Sequence, residues 1–456
     1  MRHTEKELLA KEKKYCSYGD TVHYLEPPKF FERSEGSYLY DNEGGKYLDI
    51  QMWYSAASFG YANPRLGRAL KKQVDKLPQL ACQYLHEEKV LLAEKIAKSM
   101  ERTWGLKGRV HFNVGGAQAV EDSLKLVRQH TGKNFMFAFM GGYHGRTLGA
   151  SAITSSYRYR RRFGHFSDRA QFVPYPYCYR CPYGKKYPDC GLYCAKQFEK
   201  LFETEYNGVL DVKKGISEFG AFYVESIQGT GGYVVPPKEY FPYIKKVLDR
   251  YGILLVDDEI QMGFHRAGKL WGLANFKVKP DIVVFGKALT NGLNPLSGIW
   301  AREELINPKV FPAGSTHSTF SSNTLGTAVG LELMTMLEEE DYEKKIMRKG
   351  KSFLGRLKKL QKKHRVIGDV DGMGMALRME MTKSDGYTPD RDLADRIFAM
   401  GMRGGLKTSK GTYGLVLDVG GYYKNVFTIA PAFDITEDEM DLAVELLDIL
   451  IKKCKK

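Results

Sequence analysis

Two short apolar runs that each end in charged residues constrain the fold more than any other part of the sequence. Ile253–Val256 and Ile282–Phe285 have the length and the β-branched content of buried parallel strands. Three acidic residues, Asp257 to Glu259, follow the first run, and Gly286 and Lys287 follow the second. Because chemistry in an open α/β sheet lies at the carboxyl ends of its strands, this pattern predicts an acidic group and a lysine at one edge of a mostly parallel sheet.

A lysine at the end of a buried apolar strand is unusual, because a charged amine contributes little to the packing of a core. A buried amine loses its charge readily, and a neutral amine can form a Schiff base with an aldehyde. A nearby aspartate could keep a pyridine nitrogen protonated, which makes pyridoxal 5'-phosphate an electron sink. Lys287 and Asp258 are therefore candidate catalytic residues of an enzyme that uses this cofactor. The simpler interpretation is two capped strands with solvated charges.

Four further segments place glycine or polar residues after predicted strands. They are Gly115-Gly116-Ala117, which opens a predicted helix, Tyr143-His144-Gly145, the run from Glu225 to Gly232, and the Ser/Thr-rich run from Gly314 to Asn323. Free backbone amides at a helix N-terminus attract a phosphate, and glycines let the backbone approach it closely. The first segment is therefore a candidate phosphate-binding loop.

Together with Asp258 to Gly263 and Gly286-Lys287, these motifs resemble the class III pyridoxal-phosphate-dependent aminotransferases of fold type I, which include ω-aminotransferases and 4-aminobutyrate aminotransferases. The resemblance extends from about residue 30 to about residue 450. It implies an α/β fold with a large domain on a mostly parallel seven-stranded sheet flanked by helices, plus a smaller α+β domain. We expect residues 1–60 and 326–456 to form the small domain and residues 61–325 to form the large cofactor-binding domain.

The resemblance implies a role for each matching residue. Lys287 is expected to hold the cofactor aldehyde as a Schiff base and then to move the substrate proton, while Asp258 keeps the ring nitrogen protonated. The expected cofactor-binding residues lie at strand ends and in the loops that follow: Gly116, Ala117, Tyr143, His144, Glu225, Asp258, Gln261, Lys287 and Thr319. Thr319 is expected to hold the phosphate of the neighbouring subunit's cofactor, which implies a homodimer with shared active sites. Trp53 and Tyr54 match the substrate pocket.

The phosphate-binding loop departs from the family pattern. Gly115 and Gln118 stand where the family usually has serine and glutamate. A side-chain hydroxyl on the phosphate is thereby lost at this loop. The backbone amides of Gly116 and Ala117 can still bind the anion.

A second departure concerns the substrate. Many members that act on amino acids have an arginine for the substrate carboxylate near the C-terminus, and this chain has Thr428 there. Threonine cannot copy a bidentate guanidinium contact. We therefore expect an amine or ω-amino compound as donor and a 2-oxo acid as acceptor, with an arginine in the segment 158–162 or Arg403 binding the acceptor carboxylate. The alternative is that Thr428 is an ordinary strand residue and that another arginine binds the carboxylate of an amino-acid donor in its place.

The resemblance predicts an aminotransferase that moves an amino group from an amine, ω-amino acid or amino acid to a 2-oxo acid. An amino-acid racemase or epimerase on the same scaffold is the nearer alternative. A basic protein that binds metal or nucleic acid is the remote one, because four cysteines stand as C-x2-C-x8-C-x3-C at Cys178, Cys181, Cys190 and Cys194. Four thiolates could bind zinc. The second pair is not C-x2-C, so we expect free thiols and no metal in a structural insertion at residues 174–194.

Composition excludes several other classes. The hydrophobic content of 43% and charged content of 27% are those of an ordinary globular chain, and no apolar run has membrane-spanning length. The N-terminal segment has no secretory core and the chain has seven cysteines, which leads us to expect a reducing cytoplasm. The net charge of +15 is spread over lysines on predicted helices, apart from the arginine-rich segment 157–162. We expect that segment to lie near an anionic cofactor or substrate, with neither a nucleic acid nor a membrane as partner.

Overall fold

The computed structural model describes residues 3–20, 23, 25–164, 166 and 170–455. Its strands, in chain order, are β1 (Phe31–Glu35), β2 (Tyr38–Asp41), β3 (Lys46–Asp49), β4 (Gly108–Asn113), β5 (Phe135–Phe139), β6 (Ala170–Val173), β7 (Leu210–Asp211), β8 (Ile216–Ser217), β9 (Phe219–Val224), β10 (Leu254–Asp258), β11 (Ile282–Phe285), β12 (Ser297–Arg302), β13 (Ile367–Met373), β14 (Ala376–Met381), β15 (Leu406–Thr408), β16 (Gly411–Val416), β17 (Val419–Gly420) and β18 (Val426–Ile429).

The helices alternate with these strands. They are α1 (Glu5–Tyr15), α2 (Met52–Ser55), α3 (Pro64–Lys76), α4 (Glu87–Trp104), α5 (Gly116–Thr131), α6 (Leu148–Ala152), α7 (Tyr157–Arg160), α8 (Tyr193–Lys200), α9 (Tyr240–Arg250), α10 (Thr324–Glu339), α11 (Tyr342–Lys363), α12 (Arg391–Arg403) and α13 (Glu437–Cys454), with 3₁₀ turns at Glu205–Asn207, Gly272–Phe276 and Lys287–Thr290. Among the described residues, no helix combines the length and the apolar character needed to cross a bilayer.

The central sheet has seven strands in the order β4-β12-β11-β10-β9-β5-β6. Strand β12 runs antiparallel to both of its neighbours, and the pairs from β11 to β6 are all parallel. Every residue of β9, β10 and β11 is buried, which fits strands covered on both faces. The predicted mostly parallel seven-stranded sheet is confirmed.

The strand register brings the predicted charged residues to one edge of this sheet. Asp258, the last residue of β10, pairs with Val284 in β11. Strand β11 ends at Phe285, and Lys287 follows after Gly286. The acid and the lysine therefore leave neighbouring parallel strands at the same carboxyl edge.

Two smaller sheets join distant parts of the chain. One has the order β1-β2-β3-β16-β15, in which β3 pairs in parallel with β16, and the other has the order β13-β14-β18-β17. The N-terminal hairpin of β2 and β3 is therefore extended by strands that lie more than three hundred residues later in the sequence. This pairing is compatible with a small domain built from both ends of the chain, and the boundaries at residues 60 and 325 stay a prediction.

The segment directly after β3 is a left-handed turn. The φ angles of Met52–Ser55 lie between 45° and 68°, although none of these residues is glycine. Such a conformation costs about 1–2 kcal/mol per residue. Buried Asp49 holds the turn in place, because its Oδ1 accepts hydrogen bonds from the amides of Gln51 and Met52 at 2.7 and 2.8 Å and its Oδ2 accepts one from the hydroxyl of Tyr61 at 2.7 Å.

Candidate active site

Two adjoining cavities meet at Lys287. The Asp258 cavity, of about 450 Å³, is lined by Gly116, Ala117, Tyr143, His144, Gly145, Arg146, Glu225, Asp258, Ile260, Gln261 and Lys287. The Asp418 cavity, of about 320 Å³, is lined by Tyr54, Tyr143, Arg146, Arg158, Tyr159, Gly229, Thr230, Tyr233, Gln261, Lys287, Asp418, Val419, Gly420 and Lys424. The two share Tyr143, Arg146, Gln261 and Lys287. Most of the residues predicted from the sequence therefore come together in the first cavity.

Asp258 is paired with a histidine. Its Oδ2 lies 2.7 Å from Nδ1 of His144, and its Oδ1 accepts a hydrogen bond from the amide of Ile260 at 3.2 Å. Both side chains of the pair are buried, at 4% and 3% exposure. Burial lowers the pKa of His144, but the hydrogen bond to Asp258 and the charges of Asp258 and Glu225 outweigh it, so that the pKa is raised overall. A protonated imidazole is thus favoured beside the carboxylate.

Lys287 lines both cavities. Its φ of 41° is in the left-handed region, which is a strained conformation for a side chain with a Cβ. Burial lowers the pKa of its ammonium, while Asp258, Glu225 and Asp418 oppose the shift. A lysine with a lowered pKa has a larger fraction of neutral, nucleophilic amine, which is the property that Schiff-base chemistry needs.

Glu225 orients two loops around Asp258. Its Oε1 accepts a hydrogen bond from the amide of Tyr143 at 3.0 Å, and its Oε2 accepts one from the amide of Gly229 at 2.9 Å. Burial raises the pKa of this carboxyl to about 6, with a further contribution from the charge of Asp258. Glu225 therefore fixes the backbone that carries Tyr143 beside the cavity.

Gln261 connects the two cavities to the left-handed turn. Its Nε2 donates to the hydroxyl of Tyr233 at 2.9 Å, and that hydroxyl lies 3.3 Å from Oγ of Ser55. Tyr54, the neighbour of Ser55, lines the Asp418 cavity. Trp53 instead is 54% exposed and packs against Gly292, where an added Cβ would lie 2.6 Å from its indole ring.

The helix α5 presents its N-terminus to the Asp258 cavity. Gly115 is its N-cap and provides no side-chain cap, and Gly116 and Ala117 line the cavity. A Cβ added to Gly116 would lie 2.7 Å from Cδ1 of Ile260, so any larger residue here would require the Ile260 side chain to move. Gln118 points back and accepts a hydrogen bond from the amide of Val114 at 3.4 Å. The first turn of the helix thus offers backbone amides, the donors that bind a phosphate.

Thr319 lies apart from the other predicted residues. It is exposed and lines a third cavity with Val114, Asn294 and residues 78–81. Phe320 beside it is 71% exposed. The structure of one chain therefore does not bring Thr319 to the Asp258 cavity, and its action on a neighbouring subunit stays a prediction.

The structure also locates the candidate groups for a substrate carboxylate. Arg158 lines the Asp418 cavity, while Arg403 ends α12 and lines neither cavity. Arg146, which the sequence analysis did not single out, lines both cavities and lies 4.6 Å from the centre of the Tyr159 ring. Thr428 lies in β18 and donates its hydroxyl hydrogen to Oδ2 of Asp418.

Sequence reasoning missed Asp418 and Lys424. Asp418 follows the apolar residues Leu415–Leu417 at the end of β16, which is the same strand-end pattern that pointed to Asp258. That pattern was the available signal. Lys424 lies in the loop between β17 and β18 and carries no pattern of its own.

The four cysteines of the insertion line one small apolar cavity of about 20 Å³. Their thiols are free, and within the described parts of the chain no three His, Cys, Asp or Glu side chains stand in an arrangement that could hold a metal ion. This cavity shares no lining residue with the Asp258 or Asp418 cavity.

The residues around the Asp258 cavity fit pyridoxal phosphate. The first turn of α5 can receive the phosphate, the buried carboxylate of Asp258 can face a ring nitrogen, and Lys287 offers an amine with a lowered pKa. Gly116 and Gly145 leave room that a Cβ would fill, since one at Gly145 would lie 2.6 Å from Ala117. The donor set and the available space thus match the cofactor that the sequence predicted.

Comparison with known proteins gives the family of the chain. The family model described as aminotransferase class-III matches residues 21–451. The chain is 31% identical to an alanine/serine racemase of Pyrococcus horikoshii over 450 residues, which cover 98% of this chain and 90% of that one. It is 30% identical to a leucine/methionine racemase of Thermococcus litoralis, with 91% of this chain and 89% of that one covered. It is also 30% identical to a diaminobutyrate–2-oxoglutarate aminotransferase of Haemophilus influenzae, with 91% of this chain and 88% of that one covered.

A solved structure is similar over the whole length. An amine transaminase from an uncultivated Pseudomonas species, in its PLP-bound form, superposes with a TM-score of 0.85 at 25% identity, covering 97% of this chain and 99% of that chain. The fold type predicted from the sequence is therefore confirmed, and so is the cofactor. The chain belongs to the class III aminotransferases, enzymes of fold type I that depend on pyridoxal 5'-phosphate.

Proposed function

We propose that the protein transfers an amino group from an amine, ω-amino acid or amino acid to a 2-oxo acid, with Lys287 and Asp258 as its catalytic residues. The observation that carries this proposal is the placement of the lysine amine and the buried carboxylate at the ends of neighbouring parallel strands, facing one cavity that also contains the N-terminus of α5. Pyridoxal phosphate, when bound, supplies an aldehyde that takes up the amino group and a ring that withdraws electrons from the reacting carbon.

The residues of the chain have distinct roles in this proposal. Lys287 would hold the cofactor through its Nζ, and the same amine, when free, would move the proton of the substrate carbon. Asp258, oriented by His144, accepts the hydrogen of the ring N–H and stabilises the positive charge there. The amides of Gly116 and Ala117 bind the phosphate. Tyr143 covers one face of the ring and excludes water from it.

Gln261 and Glu225 complete the environment of the ring. The side-chain amide of Gln261 is oriented by Tyr233, and we assign it to the ring hydroxyl. Glu225 holds the backbone of Tyr143. Thr319 from a second copy of the chain binds the phosphate, so that the active unit is a homodimer.

One contact in the Asp418 cavity supports the proposed donor class. The hydroxyl of Thr428 donates a hydrogen bond to the carboxylate of Asp418. A substrate carboxylate placed near Thr428 would therefore face the carboxylate of Asp418. This supports an amine or ω-amino compound as donor, with Tyr54 in the wall of the cavity that it enters. Trp53, predicted beside it, does not line this cavity. Arg146 and Arg158 are the candidate groups for the carboxylate of the 2-oxo acid.

The test is turnover with a panel of amines, ω-amino acids and α-amino acids, with pyruvate or 2-oxoglutarate as acceptor. We expect stoichiometric transfer of the amino group and a higher kcat/KM for an amine than for the corresponding α-amino acid. A much higher kcat/KM for the α-amino acid would place the carboxylate site elsewhere, and no transfer from any donor would contradict the proposed reaction.

A racemase is the second candidate, since a racemase of Pyrococcus horikoshii is 31% identical to the chain. A racemase would interconvert enantiomers of an amino acid without consuming the 2-oxo acid. Following the enantiomeric ratio and the product amine in the same reaction separates the two activities.

A further inference from the structure

Asp418 is an acidic side chain fixed at the wall of the cavity that we assign to the substrate. It lies between β16 and β17, and the hydroxyl of Thr428 donates to its Oδ2. Its backbone carbonyl accepts a hydrogen bond from the amide of Thr428 at 3.2 Å. Two contacts from one residue of β18 therefore hold the main chain and the carboxylate of Asp418 in place.

Asp418 also lies close to the reacting centre. It lines the same cavity as Lys287 and Tyr233. Burial raises the pKa of its carboxyl, and the hydrogen bond from Thr428 and the charges of Lys424 and Lys287 oppose this rise. Tyr233 is the residue that contacts Gln261. A molecule in the Asp418 cavity that reaches Lys287 is therefore within range of this carboxylate.

The Asp418 cavity has more cationic than anionic side chains in its lining. Its lining includes four cationic side chains, Arg146, Arg158, Lys287 and Lys424, and Asp418 is the one carboxylate among the described lining residues. No ion pair within 4 Å joins Asp418 to any residue in the described part of the chain, and the Thr428 hydroxyl donates a hydrogen bond to its carboxylate. Charges removed from water are normally paired, so this carboxylate is suited to a cation that arrives with the substrate.

The alternative is that Asp418 only supports β18. Support of the strand would need the bond to Thr428 and not the charge, and asparagine could provide an acceptor for the same hydroxyl. Burial raises the pKa of Asp418, so the charge itself is costly at this position. A neutral side chain would give the same local structure without that cost.

We propose that Asp418 determines specificity by binding a second ammonium group of the amino donor, so that the preferred donor carries two amino groups: one that reacts at Lys287 and one that contacts Asp418. This inference rests on the proposed aminotransferase function and narrows its donor to diamines and diamino acids. A charged hydrogen bond of this kind favours the diamine over the matched monoamine by roughly 10- to 100-fold in kcat/KM.

The experiment compares matched donor pairs on the holoenzyme. The pairs are putrescine with n-butylamine, cadaverine with n-pentylamine, and ornithine with norvaline, each with the same 2-oxo acid. For the wild type we expect kcat/KM for the diamino donor to exceed kcat/KM for its matched monoamine by roughly 10- to 100-fold in at least one pair. For Asp418→Asn we expect the ratio of kcat/KM for the diamino donor to kcat/KM for the matched monoamine to fall toward one, through a higher KM for the diamino donor.

Two further variants keep the test decisive if Asp418→Asn folds poorly. Thr428→Val removes the hydroxyl that orients the carboxylate and should reduce the diamine preference without abolishing it. Asp371→Asn, a partly buried aspartate in β13 that lines neither cavity, is the matched control and should leave the preference unchanged. Binding of putrescine without turnover, measured by calorimetry on Lys287→Ala with and without Asp418→Asn, gives a second readout.

The outcomes separate this inference from the proposed function. A wild type that transfers amino groups with equal kcat/KM for diamines and monoamines overturns the inference and leaves the aminotransferase function intact. Equal losses for both donor types in Asp418→Asn also overturn it, because the residue would then act on the chemistry or the fold. A wild type that transfers no amino group from any donor contradicts the proposed function itself. Loss of the diamine preference and of putrescine binding in Asp418→Asn alone supports the inference.

Discussion

The pair formed by His144 and Asp258 gives the most direct test of the site. We consider His144→Phe, which keeps a ring of similar size and removes the Nδ1 donor, and His144→Asn, which can keep a neutral donor at a similar position. The 2.7 Å contact joins two side chains that are at most 4% exposed, so solvent cannot replace it. A hydrogen bond to a charged group contributes about 1.5–3 kcal/mol.

If Asp258 needs this contact to serve the cofactor ring, the loss appears in the rate. At about 1.36 kcal/mol per factor of ten, His144→Phe should lower kcat/KM by roughly 10- to 150-fold. His144→Asn should retain more activity, because its amide can still donate to Oδ2. Steady-state kinetics with one donor and one 2-oxo acid measure both variants.

The same pair predicts a pH dependence of stability. The pKa of His144 is raised above its ordinary value of 6.5. Its contribution to the free energy of unfolding is therefore complete below about pH 6.5 and is lost as the pH rises through the raised folded-state pKa. Urea unfolding of the cofactor-free protein at several pH values should show stability falling over this window in the wild type and a shallower fall in His144→Phe. Equal slopes, or a His144→Phe variant with wild-type kcat/KM, would refute the reasoning.

Three other predictions concern the lysine, the assembly and the cysteines. Lys287→Ala should bind pyridoxal phosphate without a covalent bond and lose turnover by orders of magnitude, and borohydride reduction of the wild type should attach the cofactor to Lys287; a label on another lysine in the peptide map would contradict this assignment. The protein should be a homodimer whose cofactor affinity falls on dissociation, with Thr319→Ala weakening that affinity; a fully active monomer in light scattering would exclude the shared site. Cys178→Ser combined with Cys190→Ser, or treatment with a chelator, should leave kcat/KM within about twofold, because the cysteine cavity shares no residue with the other two; a larger loss together with a stoichiometric metal would show that the insertion needs a metal ion.

The strand ends of the central sheet could be predicted because their signal is local. Ile253–Val256 and Ile282–Phe285 are continuous apolar runs, and the structure has strands over nearly the same residues. Parallel strands bring their carboxyl ends together without further information. The closeness of Asp258 and Lys287 therefore followed from the pattern, whereas the contact of Asp258 with His144 depends on how the loop after β5 folds over the sheet.

The Asp418 cavity was harder to predict, because its walls come from segments far apart in sequence. Tyr54 belongs to a left-handed turn that contains no glycine, and the hydrogen bonds of Asp49 fix this turn only in the folded protein. Asp418 follows a strand whose partner is β3, and nothing in the local sequence shows this pairing. The exposure of Trp53 is likewise a result of the turn, since its backbone directs the two neighbouring aromatic residues to different surroundings.

The parallel pairing of β3 with β16 has a consequence for synthesis of the chain. A ribosome delivers the N-terminal part first, and parts that are complete can begin to fold before the rest emerges. The residues that line the Asp258 cavity lie between Gly116 and Lys287, so all of them are made before Gly411, where β16 begins. The edge of β3 that pairs with β16 therefore stays unpaired until most of the chain has been synthesised. Unpaired strand edges promote aggregation. The Asp258 cavity can therefore form on the nascent chain well before the Asp418 cavity.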